Sequence, residues 1–139
     1  MALRVAIKLG GGLITDKGSM KKFDQKAVEK VVETLFSVYE LGASLVLVHG
    51  AGSFGHLLAK KWGIANGLDI QKEREQWEAV RVIRSDMREL NNLIIGKMEE
   101  RGLECIGYPP SDWAKGTGAR FTGDISIFEE KHGRPIPVT

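Results

Sequence analysis

Two short stretches carry residue types suited to holding an anion. In "KLGGG" (8–12) a lysine precedes three glycines, and in "HGAGSFGH" (49–56) two histidines bracket a glycine cluster. Glycine costs backbone entropy, so a cluster of it marks close backbone approach or positive φ. Consecutive N–H groups at a helix start form a concave donor surface with partial positive charge, which suits a phosphate. Lys8 ends an apolar run, where a buried ammonium is expensive without an anionic partner. Lys17, just past "ITD", is placed to reach the same cleft. The chemistry these residues suggest is phosphate binding across two turns.

Neither of the familiar phosphate fingerprints is complete. "GAGSFG" (50–55) matches G-x-G-x-x-G between a strand and a helix, but the acidic residue that should end the next strand about 20 residues on is missing. Asp69 has the distance, yet a helical pattern precedes it. No G-x-x-x-x-G-K-[ST] occurs. Plainer readings stand beside the functional ones: Lys8 snorkelling from a strand end, Lys17 as a solvated charge beside Lys21 and Lys22, and His56 as a surface helix histidine. His49, closing an apolar strand, reads as a hydrogen-bonded structural residue. His132 reads as a helix C-terminal residue, and Asp112 and Asp124 as helix caps rather than magnesium ligands.

The elements that must position these residues follow from periodicity. "LRVAIKL" (3–9) and "ASLVLVH" (43–49) read as strands, the second apolar enough for a central parallel strand buried on both faces. Between them "FDQKAVEKVVETLFSVYELG" reads as a helix capped by Asp24 and Gly42, with Ala27, Val28, Val31, Leu35 and Val38 inward. A helix from Lys72 to Arg101 carries Trp77, Val80, Ile83, Met87, Leu90, Ile94 and Met98 at core spacing. "LECIGY" (103–108) and the terminal "RPIPVT" are further strands. "DWAKGTGARFTG" is an irregular excursion or small hairpin, and "DISIFEEKHG" a short helix. This alternation predicts an α/β fold, a three-layer sandwich around a mostly parallel sheet with right-handed crossovers. The last strand has no closing helix, so the domain reads as cut short.

The bulk properties narrow the class. The 139 residues, 42% hydrophobic and 27% charged, suit one globular domain. A net charge of +2 with dispersed Lys and Arg gives no footprint for nucleic acid. No apolar run reaches the roughly 20 residues of a membrane span, and the N-terminus lacks the features of a secretory signal. One cysteine, Cys105, allows no internal disulfide; it reads as a buried, inert thiol and points to a reducing cytoplasm.

"IKLGGGLITDK" and "LVHGAGSFGHLLAKKWG" resemble the two N-terminal signatures of the amino acid kinase superfamily, and more narrowly of isopentenyl phosphate kinases. The resemblance runs the length of the chain, whereas members of that family are about twice as long. It implies a phosphotransferase moving a phosphoryl group from ATP, with Mg2+, onto isopentenyl phosphate in isoprenoid biosynthesis. By the same resemblance Lys8, Lys17 and His56 are catalytic, and Gly10, Gly11 and Gly12 lie beside the nucleotide's terminal phosphates. Gly50, Ala51, Gly52, Gly55 and His56 hold the acceptor phosphate, and no residue binds metal directly.

Residues 1–139 would then be the N-terminal, phosphoacceptor-binding portion, inactive alone without the ATP-binding C-terminal half, and a homodimer when complete. Gly12 departs from the serine usual in that family, and Ala51 from a glycine, at a cost of about 1–2 kcal/mol should that position need positive φ; both keep the loop small and are tolerable. Two other functions fit the residues: a kinase for another small acceptor (amino acid, carbamate or phosphonate), and a non-catalytic phosphate-binding module. An isoprenoid tail calls for an apolar cavity lined from the long helix; an amino acid calls for groups fixing an ammonium and a carboxylate.

Overall fold

A computed structural model describes residues 3–116, 118–129 and 131–139. Its elements are β1 (Arg4–Leu9), α1 (Gly11–Ile14), α2 (Gln25–Glu40), β2 (Ser44–His49), α3 (His56–Lys61), α4 (Glu73–Glu100), β3 (Cys105–Gly107), α5 (Pro110–Trp113), β4 (Ala114–Lys115), β5 (Thr122–Gly123) and β6 (Ile136–Val138). Four strands form one sheet in the order β1-β2-β6-β3, every pairing parallel. The excursion after α5 is the expected small hairpin, with β4 and β5 antiparallel. Thr117, inside that hairpin, and Glu130, inside the predicted 124–133 helix, lie outside the described residues.

Local chemistry explains the boundaries. Asp24 accepts a hydrogen bond from the Ala27 amide at 3.0 Å and so starts α2. Gly42, at φ +85°, takes the left-handed turn that ends that helix. Asp124 caps the 3-10 turn Ile125–Phe128, accepting from the Ser126 amide.

The core is one-sided. Val28, Val32 and Leu35 of α2 and Leu90, Ile94 and Met98 of α4 share a buried cluster with Leu9, Leu45, Leu47 and Val138 of the sheet. Strand alternation puts Arg4, Ala6 and Lys8 on the opposite face, where all three are exposed. The sheet and one helical layer of the expected sandwich are thus in place. Over the other face the described residues lay the 3-10 turn, which skirts Ala6 and Val46.

Three expectations are corrected here. β2 is not buried on both faces: Val48 is 38% exposed, because its side of the sheet carries so little cover. Trp77 is 58% exposed rather than an anchor; the inward positions of that turn of α4 are Gln76 and Ala79. His132 does not end a helix. It lies within the turn closed by the Arg134 amide on the Lys131 carbonyl, its ring stacking on Tyr39 at 4.3 Å and hydrogen-bonding the Ala43 carbonyl. Cys105 is as inert as expected, since burial pushes its thiol up to about 12.

The packing gives a direct contrast. Ile94→Ala should cost about 3 kcal/mol in urea denaturation, as full burial implies. Trp77→Ala should stay within about 0.5 kcal/mol of the parent, as expected of a surface change.

Candidate functional site

β1 and β2 run in parallel register, with Leu9 opposite His49. Their two glycine turns therefore leave the sheet at the same level, at its carboxyl edge, where open α/β sheets bind ligands. The turns touch. A Cβ on Gly11 would lie well inside van der Waals contact of the Gly52 backbone, and one on Gly50 would come 2.9 Å from the Gly11 nitrogen. At Gly52 the backbone is left-handed, φ +49°, and a side chain would collide with Thr15.

Thr15 stitches the turns together. Buried to 2% exposure, its hydroxyl donates to the Gly11 carbonyl at 2.6 Å and accepts from the Ser53 amide at 3.0 Å. The segment behind it adds a strap: the Lys21 amide donates to the Ser53 carbonyl, and the Lys22 amide to the Ser53 hydroxyl. Lys21 itself is left-handed at φ +53° and sends its ammonium to Asp86 and Glu89 on α4 at 3.0 and 2.6 Å.

The predicted site residues distribute as follows. Gly10, Gly11 and Gly12 come together with Gly50, Ala51 and Gly52. Lys17 folds back over the first turn, its side chain filling the space a Cβ on Gly12 would need, with Nζ 3.0 Å from that position. Ala51 sits at φ −80°, ψ −33°, ordinary right-handed backbone, so replacing a glycine there brings no strain. Lys8 is exposed on the open face, one residue before the turn, with no carboxylate partner among the described residues. His56 is the first residue of α3 and is exposed. Gly55 abuts Ala51 on one side and Ile83 and Met87 of α4 on the other.

Those last two side chains belong to a cavity of about 310 Å³ beside the second turn, its lining mainly apolar, with Ile83, Met87, Pro109 and Pro110 in its wall. His49 and Asn91 supply polar atoms to the same wall. Neither Lys8, Lys17 nor His56 lines it. Asp112 does not cap α5; it lies within that helix and pairs with Arg88 at 3.0 Å at the cavity's edge.

His49 is hydrogen-bonded at both ring nitrogens. Nδ1 lies 3.0 Å from the Gly50 carbonyl and Nε2 lies 3.0 Å from Nδ2 of Asn91. Burial, only partly offset by the Gly50 carbonyl, holds its pKa below the usual 6.5. Thr15 and Asn91 are the two site residues that periodicity does not single out, since each contributes through contacts distant in sequence. A threonine directly after a glycine turn and an asparagine among the inward positions of α4 are the available signals.

The model of the amino acid kinase family matches residues 3–132. The chain is 31% identical over 133 residues to the isopentenyl phosphate kinase of Methanocaldococcus jannaschii, covering 89% of this chain and 49% of that protein. It is 30% identical over 105 residues to the isopentenyl phosphate kinase of Thermoplasma acidophilum, covering 76% and 40%. Among solved structures, an isopentenyl phosphate kinase superposes with a TM-score of 0.83 at 24% identity, over 98% of this chain and 57% of that one. The chain thus spans about half the length of the curated relatives it matches.

Two outcomes check this geometry. Thr15→Val should destabilise the protein by about 2 kcal/mol, because it leaves the buried Ser53 amide without an acceptor. The His49 contribution has a definite sign with pH. Its depressed pKa leaves stability intact above about 6.5, where the ring is neutral in both states. As pH falls below 6.5 the unfolded chain takes up a proton that the native ring resists, and stability drops. Chemical denaturation between pH 7.5 and 5 should show a smaller loss in His49→Gln than in the parent.

Proposed function

The chain belongs to the amino acid kinase family, and from that premise we propose that it is the acceptor-binding N-terminal half of a kinase. The full protein transfers a phosphoryl group from ATP to isopentenyl phosphate, giving isopentenyl diphosphate. One observation carries the choice of acceptor: Gly55 joins a glycine turn suited to a phosphate to an apolar cavity walled by Ile83 and Met87. A small phosphate with a hydrocarbon tail has that same division. An amino acid acceptor would require both a carboxylate site and an ammonium site; Arg84 and Arg88 line the cavity, but no acidic side chain does, and its exposed surface is apolar for the most part.

In this reading the second turn, Gly50, Ala51, Gly52 and Gly55, holds the acceptor phosphate, with His56 hydrogen-bonding it from the first turn of α3. The first turn, Gly10 to Gly12, faces the donor's terminal phosphates. Lys8 and Lys17 neutralise charge as the phosphoryl group crosses. A phosphate monoester is largely dianionic near neutral pH, so its oxygen needs no general base. Alignment and charge neutralisation then supply the rate enhancement.

ATP phosphates fit the donors present: bare glycine backbone with no room for a Cβ at Gly11, and the Lys17 ammonium laid against Gly12. Magnesium, which offsets phosphate charge when bound, finds no group of three acidic, histidine or cysteine side chains among the described residues. It would ride on the nucleotide's own oxygens. The complete protein is proposed as a cytoplasmic homodimer; no helix of the described residues is long and apolar enough to cross a membrane.

Thermal-shift titration tests the acceptor. Isopentenyl phosphate should raise the Tm of this chain, and glutamate should leave it unchanged. Met87→Trp, which fills the cavity, should weaken that shift by about tenfold in concentration while inorganic phosphate still binds. A Tm rise with glutamate and none with isopentenyl phosphate would replace the acceptor.

A further inference from the structure

We propose that Asn91 is a positioning residue for the second glycine turn, acting through His49. The Gly50 carbonyl can only accept, so the hydrogen between it and the His49 ring sits on Nδ1. Nε2, 3.0 Å from Asn91, then carries a lone pair and accepts from Nδ2. The same Nδ2 lies 3.2 Å from the Val138 carbonyl, a second pure acceptor. Both partners demand an N–H donor, which fixes the amide's orientation and uses both of its hydrogens.

The consequence reaches the turn. The Gly50 amide donates to the Leu9 carbonyl at 3.0 Å, while the Gly50 carbonyl is held by the His49 ring at 3.0 Å. Both polar backbone atoms of the first turn residue are therefore committed, and Ala51 and Gly52 leave from a fixed point. Asn91 connects that point to α4 and, through Val138, to β6.

The neighbouring strand also accommodates the amide. Gly107 of β3 has no left-handed backbone, yet a Cβ there would come 2.6 Å from Oδ1 of Asn91. The glycine clears room for the amide. Asn91 itself is 6% exposed, between Leu90 and Ile94 on the buried face of α4. A leucine would fill the same volume without desolvating an amide, so the polar residue serves orientation.

The test uses this chain labelled with 15N, and its first readout needs no variant. Long-range 1H–15N spectra of the parent should show His49 with its hydrogen on Nδ1 and Nε2 bare. Asn91→Asp, which can only accept, should place a proton on Nε2. Asn91→Leu should shift the amide resonances of Gly50, Ala51 and Gly52. Its Kd for isopentenyl phosphate should rise about tenfold, the equivalent of one lost orienting hydrogen bond.

The affinity measurement rests on the acceptor reading above; the spectral ones do not. A parent ring protonated on Nε2, or turn amides unmoved in Asn91→Leu, overturns the proposal. Should Asn91→Leu fail to fold, Gly107→Ala displaces the same amide and must produce the same turn shifts. Turn shifts and tautomer as expected, with no isopentenyl phosphate binding by the parent, reject the acceptor and leave the positioning role standing.

Discussion

Everything at the carboxyl edge of this sheet depends on two peptide turns lying closer than side chains permit. Gly11, Gly50 and Gly52 have no Cβ because the opposite backbone, or the Thr15 hydroxyl, already occupies that space. The register of β1 on β2 brings the turns level, and Thr15 then bonds to both. In the proposed reading a donor phosphate and an acceptor phosphate lie on these two turns and must approach within bonding distance; two backbones in contact could hold them that near, whereas walls of side chains would separate them.

The remaining architecture supports that contact from one side. α2 and α4 bury their apolar faces on the sheet, while Lys21 ties the strap behind the first turn to Asp86 and Glu89 of α4. α4 thereby serves three roles along its length. It packs the core with Leu90, Ile94 and Met98, orients His49 through Asn91, and walls the apolar cavity with Ile83 and Met87. The other face of the sheet is open at Ala6, Lys8 and Val48.

Much of this was legible in the residues. Asp24 and Gly42 announced both ends of α2, and the alternation of apolar runs with helical stripes announced a parallel sheet. The misreadings share a cause. Trp77 has core spacing but lies beside the inward positions of its turn, Gln76 and Ala79, and β2 is continuously apolar without being covered twice. His132 and Asp112 were assigned to helix ends from their neighbours in sequence, and both instead bond to residues far away: Ala43 and Arg88. Hydrophobic period reports which residues prefer burial, not whether another element arrives to bury them.

The linear order of residues was enough to place the four strands of the sheet, α2, α4, the two glycine turns and the family likeness, because these rest on local backbone preference and short spacing. It could not reveal that Thr15 bonds both turns, that Lys17 lies over Gly12, or that Asn91 bonds the ring of His49. Those contacts join residues up to 42 positions apart. They exist because folding brings the chain ends of parallel strands side by side, a proximity that no local pattern encodes.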